Sequence, residues 1–435
     1  MVYHGVPRLP QIETRSIFAR QAMDFRDSPS EAAFRAEATA FLAAHAPRHF
    51  RSYTTEGADM EEVFREHVAW QKTLAAHGWG ALTWPKPYGG RGLGPIEQII
   101  WNEELTKRGA AHSMLAVGIG MAGPTLIAHG SDAQKQRFLA KLLHADEIWC
   151  QLFSEPGAGS DLASLATRAV RDGDDWIVNG QKTWCSGAQH ADFGILIARS
   201  DPRAPKHSGI TYFLIDMRTP GIEVRPLVEM TGEARFNEVF LEGVRVPDAA
   251  RLGAVGQGWA ITQTTLLNER MAMAGLSSLL DFDALRAFVK EQVGTPGPGP
   301  RDEAALALPR DDAAFALLRD ELARVYVELK SLQLLNARVV TKLGRGQMPS
   351  AETSVMKLAL ARVMSRAAEA AMKAMGPRAL RRRGFWQNEF LFAPAWHIAG
   401  GTDQVQKNVC AERVLGMPRD LHDTKDVPFD RLPRS

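Results

Sequence analysis

In the first third of the chain, apolar residues recur every three or four positions, which is the period of an amphipathic helix. The first such stretch follows Ser28-Pro29-Ser30-Glu31, a capping box with proline at the first helical position. A second capping box begins at Ser131, with Gln134 as its partner, so we predict helices that start at both places. Two further helices are predicted over residues 60–77 and 95–108, with a loop at 84–94.

From about Trp149 the pattern changes to short apolar runs between turn residues. The runs occupy residues 176–178, 193–198, 210–215, 222–228 and 238–246. Asn179-Gly180 signals a turn directly after the first of them. Short runs at such even spacing predict a small β-barrel or sandwich, and they argue against a parallel sheet with crossover helices.

From Gly258 onward the helical period returns. One long helical stretch covers residues 259–289 with Gly275 inside it, and a loop rich in glycine and proline follows at 294–300. Further helices are predicted over residues 311–343, 352–375 and 403–415. Gly416 and the proline after it stop the last of these helices.

Composition narrows the class of protein. The 435 residues are 45% apolar and 23% charged, which is ordinary for a soluble protein with more than one domain. The formal net charge of +2 gives no reason to expect nucleic acid as a partner. The 3 cysteines are far apart and lack metal-ligand spacing, so we expect neither a disulfide framework nor a metal site. No apolar run reaches the roughly 20 residues of a membrane span, and we expect no membrane as partner.

Residues 1–22 carry Arg8, Arg15 and Arg20 without an apolar block, which argues against a secretory signal. A transit peptide and a start at Met23 are both open interpretations. We expect a cytoplasmic bacterial protein, with the mitochondrial matrix as the second possibility.

Three segments carry candidate chemistry, and the first is QLFSEPGAGSD at Gln151–Asp161. Its glycines let backbone amides approach a ligand closely, and successive amides can cradle an anion. A tight loop between domains would have the same composition. Both interpretations therefore stay open for the glycine and serine positions taken alone.

The second segment, Asn179–Asp192, contains Trp184, which can stack on a flat aromatic ring, and Ser186, which can donate a hydrogen bond to it. A tryptophan in the core of the β domain is the competing interpretation. The third segment, Ile398–Arg419, opens a helix at Gly400-Gly401-Thr402. Free amides at a helix start suit a phosphate or a carbonyl oxygen, although an ordinary helix cap would look the same.

Together the three segments resemble the acyl-CoA dehydrogenase family, and the resemblance extends from Met23 to about Arg419. It includes residues 84–94, 230–247 and 256–270 in the order that the family keeps. The fold that the resemblance implies is α+β and multidomain, with an N-terminal α-helical domain, a middle β-barrel domain and a C-terminal four-helix bundle. The corresponding boundaries are 1–22 for an N-terminal extension, 23–148, 149–255 and 256–420 for the domains, and 421–435 for a tail.

The resemblance also implies FAD as the cofactor and assigns its contacts residue by residue. The flavin ring would meet Gln151, Phe153, Ser154, Trp184, Ser186, Thr402 and Gln404. Gly159 and Ser160 would lie near the pyrophosphate or the acyl-CoA. Gly376 matches a glycine that helps to hold the dinucleotide of a neighbouring subunit.

The reaction that the resemblance implies is oxidation of an acyl-CoA thioester to the trans-2-enoyl-CoA. Many members carry the catalytic glutamate directly before Gly-Thr, where this chain has Gly400, which cannot be a base. A minority carry it on a helix before an arginine, as Glu269 and Arg270 stand here. We therefore predict Glu269 as the base, although a glutamate beside an arginine on a helix usually forms solvated ion pairs with residues one turn away. The predicted substrate side comprises Ser160, Arg270, Gly400 and Gly401, with the Gly400 amide toward the thioester carbonyl.

Three hypotheses for the function follow. In the first, the protein is an active dehydrogenase of fatty-acid β-oxidation that passes electrons to an electron-transfer flavoprotein, as a homotetramer, a homodimer or part of a heterotetramer. In the second, it is a non-catalytic partner subunit of a heteromeric dehydrogenase. In the third, it is a flavin-dependent oxidase or monooxygenase on the same fold. Straight-chain, branched and ring-bearing acyl groups are all open.

Other candidates carry less weight. The arginines at 378 and 381–383 would meet CoA phosphates or form a solvated surface. We interpret His397 as a packing residue, and Asp403 matches a polar flavin contact in the family. No GxGxxG motif follows a strand, so a Rossmann nicotinamide site is not expected.

Overall fold

A computed structural model describes residues 27–47, 59–108, 114–274, 280–294, 312–347, 352–381, 384–418 and 426–432. The predicted extension at 1–22 and most of the predicted loop at 294–300 lie outside these ranges. Among the described helices, none combines the length and the apolar character needed to cross a membrane.

The amino-terminal region is helical, as the apolar spacing predicts. Its helices are α1 (Pro29–His45), α2 (Met60–Ala76), α3 (Pro95–Lys107), α4 (Gly123–His129) and α5 (Asp132–Leu143). Both predicted capping boxes, at Ser28 and Ser131, are present with their reciprocal hydrogen bonds. The short helix α4 is not among the predicted helices. Tryptophan and phenylalanine rings fill the core between α1 and α3, where Trp79 stacks on Phe41 and Trp101 at centroid distances of 4.8 and 4.7 Å.

The middle region forms one sheet of eight strands. They are β1 (Trp149–Leu152), β2 (Arg168–Asp172), β3 (Asp175–Lys182), β4 (Phe193–Arg199), β5 (Ile210–Asp216), β6 (Ile222–Leu227), β7 (Phe236–Pro247) and β8 (Arg251–Leu252). The order is β6-β7-β3-β2-β4-β5-β8, with β1 parallel to β4. Phe213 of β5 and Val239 of β7 share one core although three strands lie between them, so the sheet curves round on itself.

Strand β4 is buried along its whole length because both faces of the sheet are covered there. Leu196 and Ala198 point into the core that the sheet encloses. Ile195 and Ile197 pack on the opposite face, in a core shared with α4 and α5. The sheet is therefore firmly joined to the amino-terminal helices.

The predicted turn at Asn179-Gly180 is wrong, because β3 runs through both residues to Lys182. The pairing of β3 with β7 shifts register between Val178 and Gly180, which marks a bulge. A Cβ on Gly180 would lie 2.4 Å from the Thr167 hydroxyl, so glycine is required by close approach and not by a turn. The chain reverses instead between β2 and β3, where Gly173 has a φ of 63°.

The carboxy-terminal region is helical again. Its helices are α6 (Gly258–Ala274), α7 (Phe282–Gly294), α8 (Asp312–Gly344), α9 (Glu352–Met375), α10 (Phe385–Ile398) and α11 (Asp403–Arg413). Helices α7 to α10 share one apolar core, in which α9 contributes a stripe of alanines and methionines. The four-helix bundle is thereby built around α9.

Two sequence predictions differ from the structure in this region. The stretch 259–289 is not one helix, because Leu280 and Asp281 are not helical. Asp281 caps the start of α7 instead, since its Oδ1 accepts the Ala284 amide at 3.0 Å. Helix α10 is absent from the prediction. Its apolar residues lie on every side and Pro394 stands inside it, so neither the helical stripe nor the usual absence of proline marks it.

Candidate active site

The structure brings the three candidate segments together. The Thr183 amide donates to the Ser154 carbonyl at 2.9 Å, which joins the first segment to the second. The Ser160 and Thr402 hydroxyls lie 3.5 Å apart, which joins the first segment to the third across 242 positions of the chain. The site therefore lies where the sheet meets the carboxy-terminal helices.

A buried ion pair between Lys182 and Glu155 supports the first segment. Lys182 has no exposed side-chain surface, and its Nζ donates to Glu155 Oε1 at 2.7 Å and to the Phe153 carbonyl at 3.0 Å. The Glu155 carboxylate also accepts the amides of Ala166 and Thr167 at 2.6 and 2.9 Å. Burial opposes the charge on Glu155, but the ammonium and these donors outweigh it and hold its pKa below the ordinary value. The pair is missing from the sequence predictions, and a lysine within a buried strand is the signal that could have indicated it.

The glycine loop above this pair is open to solvent. Gly157 and Gly159 are exposed, and a Cβ on either would meet nothing within 4 Å. Gln151 and Ser154 are half-buried at its edge. Phe153 is instead buried edge-on against Tyr212 at 5.8 Å, so only its backbone is left for the predicted flavin contact.

Trp184 is not a core tryptophan, because 56% of its surface is exposed. Its φ of 60° is a left-handed conformation that costs a non-glycine residue on the order of 1–3 kcal/mol. Hydrogen bonds of the two neighbouring residues hold Trp184 in this conformation. The Thr183 amide donates to the Ser154 carbonyl, and the Cys185 amide donates to the Asn237 carbonyl at 3.0 Å. The result is an exposed indole on a fixed backbone, beside the half-buried Ser186.

The third segment presents a glycine pair at the start of α11. Gly400 and Gly401 have φ values of 64° and 85°, which side chains rarely adopt. Thr402 is the N-cap, and its side chain accepts the Val405 amide at 3.2 Å. The Gln406 side-chain amide donates to the Gly400 carbonyl at 2.9 Å, while Gln404 is exposed on the first turn.

The interpretation of His397 as a packing residue is wrong. Its Nδ1 lies 2.7 Å from Asp403 Oδ2, and its Nε2 lies 3.0 Å from the Ser365 hydroxyl. Asp403 also accepts from Lys357 Nζ at 2.9 Å. A polar network thus surrounds the Gly400-Gly401 turn, and its members come from α9, α10 and α11.

Glu269 lies on α6, on the face that turns toward the sheet and the amino-terminal helices. Ile261 and Thr265 of that face are buried, and Glu269 continues it one turn later as a half-buried residue. The Thr265 hydroxyl lies 2.9 Å from that of Thr125 and 3.1 Å from that of Tyr212, which fixes α6 against α4 and β5. The side chain of Arg270 lies outside the described residues.

A second link between the sheet and the helices is also missing from the sequence predictions. The Arg235 guanidinium lies over the Phe392 ring of α10 at 4.5 Å and pairs with Glu233 at 2.9 Å. Glu389 of α10 is 8% exposed, and burial raises its pKa to about 6 although the Arg235 charge opposes the rise. The Arg235 carbonyl accepts the Gly187 amide at 3.4 Å, so Arg235 also contacts the segment after β3 that contains Trp184 and Ser186.

Gly376 follows α9, where it starts a short 3-10 turn over Gly376–Leu380 with a φ of 60°. Its predicted contact concerns a neighbouring subunit and stays a prediction. In the basic cluster, the Arg378 guanidinium donates to the Gln292 carbonyl at 3.2 Å. The arginines at 382 and 383 lie outside the described residues.

The architecture of helices, curved sheet and helices, with an exposed indole beside an open glycine loop, is the one that the resemblance implies for a flavin-dependent oxidoreductase. Family comparison matches the chain to the N-terminal domain of acyl-CoA dehydrogenases over residues 28–146, to the middle domain over 150–244 and to the C-terminal domain over 307–415. The chain belongs to the acyl-CoA dehydrogenase family, so the predicted family and fold class are confirmed. Glu269 falls between the matched ranges.

Individual relatives agree with this assignment. Acyl-CoA dehydrogenase FadE34 of Mycobacterium tuberculosis is 43% identical over 350 residues, which cover 80% of this chain and 46% of the relative. The chain thus spans less than half the length of that relative. Acyl-CoA dehydrogenase IpdE1 of the same organism is 35% identical over 393 residues, 89% of this chain and 98% of the relative. The solved structure of the Tcur3481-Tcur3483 steroid ACAD has a TM-score of 0.75 and 30% identity and covers 92% of this chain and 100% of its own.

The residues present fit FAD, the cofactor that the family implies. The exposed Trp184 side chain offers a surface for a flat ring, and hydrogen bonds of its two neighbours fix the backbone that carries it. The open glycine loop and the capped start of α11 offer amide donors to phosphate or ring oxygens. Membership of the family confirms the predictions that the chain is an oxidoreductase and that FAD is its cofactor.

Proposed function

We propose that this protein oxidises an acyl-CoA thioester at its α and β carbons, with Glu269 as the base that removes the α-proton. The observation that carries the proposal is the contact of Ser160 with Thr402, which places the glycine loop against the turn that contains Gly400. Gly400 has no side chain, and Glu269 lies half-buried on the face of α6 that carries the buried Ile261 and Thr265. Both features match the family branch that carries its base on this helix.

The residues proposed to contact the flavin fall into two groups, one on the sheet and one at the start of α11. Bound FAD supplies the acceptor for the hydride that leaves the β-carbon. Trp184 would pack against the ring, and Gln151, Ser154 and Ser186 would hold it from the sheet. Thr402 and Gln404, at the start of α11, would hold it from the helices. Residues that are in place before the substrate binds need little reorganisation, which is how preorganised sites lower a barrier.

Proton removal is the difficult step, because a thioester α-proton has a pKa far above that of any carboxylate. Hydrogen bonds to the thioester oxygen stabilise the enolate charge as it develops. We assign one of them to the Gly400 amide, in the turn that faces Ser160. Exclusion of water by the acyl group strengthens these hydrogen bonds, because the local dielectric constant falls.

For the substrate, we infer a bulky ring-bearing acyl-CoA. The support is the similarity to a structure described as a steroid ACAD, which covers 92% of this chain at 30% identity. We assign an electron-transfer flavoprotein as the acceptor. Exposed apolar residues of α8, among them Leu317 at 68% and Val327 at 61%, support assembly with further subunits of the same or a second kind.

Gly400 also supports a second candidate, a non-catalytic partner subunit, since the commonest position of the base is lost. One experiment separates the two. The purified yellow protein is mixed without oxygen with straight-chain, branched and ring-bearing acyl-CoA thioesters, and flavin bleaching is followed. We expect fast bleaching with ring-bearing thioesters and a loss of about 1,000-fold in Glu269→Gln at unchanged FAD content.

The control is Glu369→Gln, the same change at an exposed carboxylate of α9, which should bleach like the wild type. Full bleaching by Glu269→Gln would refute the assignment of the base. A wild type that binds FAD and acyl-CoA but is never bleached would establish the partner subunit instead. Rapid peroxide formation in air without an added acceptor would identify an oxidase.

A further inference from the structure

The turn between α10 and α11 is held by side chains to which the proposed reaction gives no role. Lys357 of α9 has 7% of its side chain exposed, and its Nζ donates to the His397 carbonyl at 3.1 Å and to Asp403 Oδ1 at 2.9 Å. His397 is the penultimate residue of α10 and Asp403 is the first of α11. One ammonium group thus ties together the two ends of the turn.

The His397 ring closes the same turn from a second direction. Its Nδ1 donates to Asp403 Oδ2 at 2.7 Å, since a carboxylate has no proton to give. Its Nε2 is joined to the Ser365 hydroxyl of α9 at 3.0 Å. Both oxygens of Asp403 are therefore engaged, and burial of this carboxylate is outweighed by His397 and Lys357, which lower its pKa.

Each end of the turn is capped only onto its own helix, where the Ala399 amide donates to the Ala395 carbonyl at 2.8 Å and the Thr402 side chain accepts the Val405 amide at 3.2 Å. Gly400 and Gly401 have left-handed φ values of 64° and 85°, and glycine alone imposes no preference for them over other conformations. Gln406 holds the Gly400 carbonyl, but it does not join the end of α10 to the start of α11. Without a link between the two helix ends, the direction of the Gly400 amide would vary.

We propose that Lys357, His397 and Asp403 form a clamp of positioning residues that aims the Gly400 amide at the thioester oxygen. The clamp rests on the proposed function, because it acts on the oxyanion donor assigned there. Its loss should weaken stabilisation of the enolate and lower turnover, while substrate affinity and FAD content change little. Misplacement of a donor by about 1 Å can cost on the order of 100-fold in rate.

The test uses a ligand that forms an enolate without transferring hydride. A β-ketoacyl-CoA loses its α-proton on binding to an oxyanion site, and the enolate absorbs in the near ultraviolet. The fraction ionised at a given pH reports the oxyanion donors directly, independently of turnover. Because this is an equilibrium, Glu269→Gln can be measured in the same way, which separates the clamp from the base.

The variants are Lys357→Met and Asp403→Asn, the second of which keeps the shape of the carboxylate. Arg366→Met is the matched control, since Arg366 stands on the same helix, pairs at 2.8 Å with Glu328 on α8 and makes no clamp contact. We expect both clamp variants to ionise the bound ligand about 10-fold less than the wild type. The control should ionise it normally, and FAD content and KM should stay within about twofold in all three.

Wild-type ionisation in both clamp variants would overturn the clamp while leaving the proposed function intact. The clamp would equally be refuted if FAD content and melting temperature fell in step with ionisation, since the role of these residues would then be structural. A wild type that binds the ligand without ionising it would refute the oxyanion site, and the proposed function and the clamp would fail together.

Discussion

The two halves of the site are built in different ways. On the sheet side, the backbone conformation of Trp184 is held by backbone hydrogen bonds of its neighbours, close to the buried Lys182–Glu155 pair. On the helical side, the Gly400-Gly401 turn depends on side chains that reach it from neighbouring helices. A sheet edge supplies fixed donors and acceptors by itself, whereas a turn between helices must be restrained from outside.

The largest effect should come from breaking the support of the sheet side. Lys182→Met leaves the Glu155 carboxylate buried without its ammonium partner, which costs about 3–5 kcal/mol of unfolding free energy. Chemical unfolding of the purified protein measures it, and FAD content should fall with stability. Arg245→Met removes an exposed pair with Asp172 from the same sheet and should have no measurable effect. Equal losses of unfolding free energy in Lys182→Met and Arg245→Met would show that burial does not make the first ion pair more important for stability.

A smaller effect is expected on the helical side from Gly401→Ala. The left-handed φ of 85° costs alanine roughly 1–2 kcal/mol, and its Cβ would lie 2.6 Å from Gln406 Nε2. Gln406 would have to move from the Gly400 carbonyl, so turnover should fall beyond what the stability loss explains. Gly416→Ala has a similar φ of 65° with open space around it and serves as the control for stability and turnover. Identical turnover in the two variants would contradict the need for a restrained turn.

The stability of the protein should depend on pH through Glu389, which lies where Arg235 of the sheet region contacts α10. Its folded pKa of about 6 lies above the ordinary value of 4.5, so the stability it contributes is complete below pH 4.5 and is lost as pH rises through 6. The difference corresponds to about 2 kcal/mol. Glu389→Gln should therefore stabilise the protein by up to about that amount at alkaline pH and leave it unchanged in acid, below the ordinary pKa. Melting curves across this range measure the effect, and a constant difference between variant and wild type would exclude titration as the cause.

Much of the fold follows from local patterns. The capping boxes at Ser28 and Ser131 and the strands over 193–198 and 210–215 are predictable, because each depends on residues close in the chain. Helix α10 is not predictable in this way because it is apolar on every side and contains Pro394. The bulge at Gly180 is not predictable either, because its cause, the approach of Thr167, comes from another part of the chain.

The site divides in the same way. The three segments and the absence of a side chain at Gly400 can be stated from the sequence, because residue type alone excludes a base at that position. The choice of Glu269 as the base needs the resemblance to the family in addition. The meeting of Ser160 with Thr402, the exposure of Trp184 and the clamp around His397 could only come from the tertiary structure. Each depends on groups from separate elements at distances of a few ångströms, and packing of sheet against helices sets those distances.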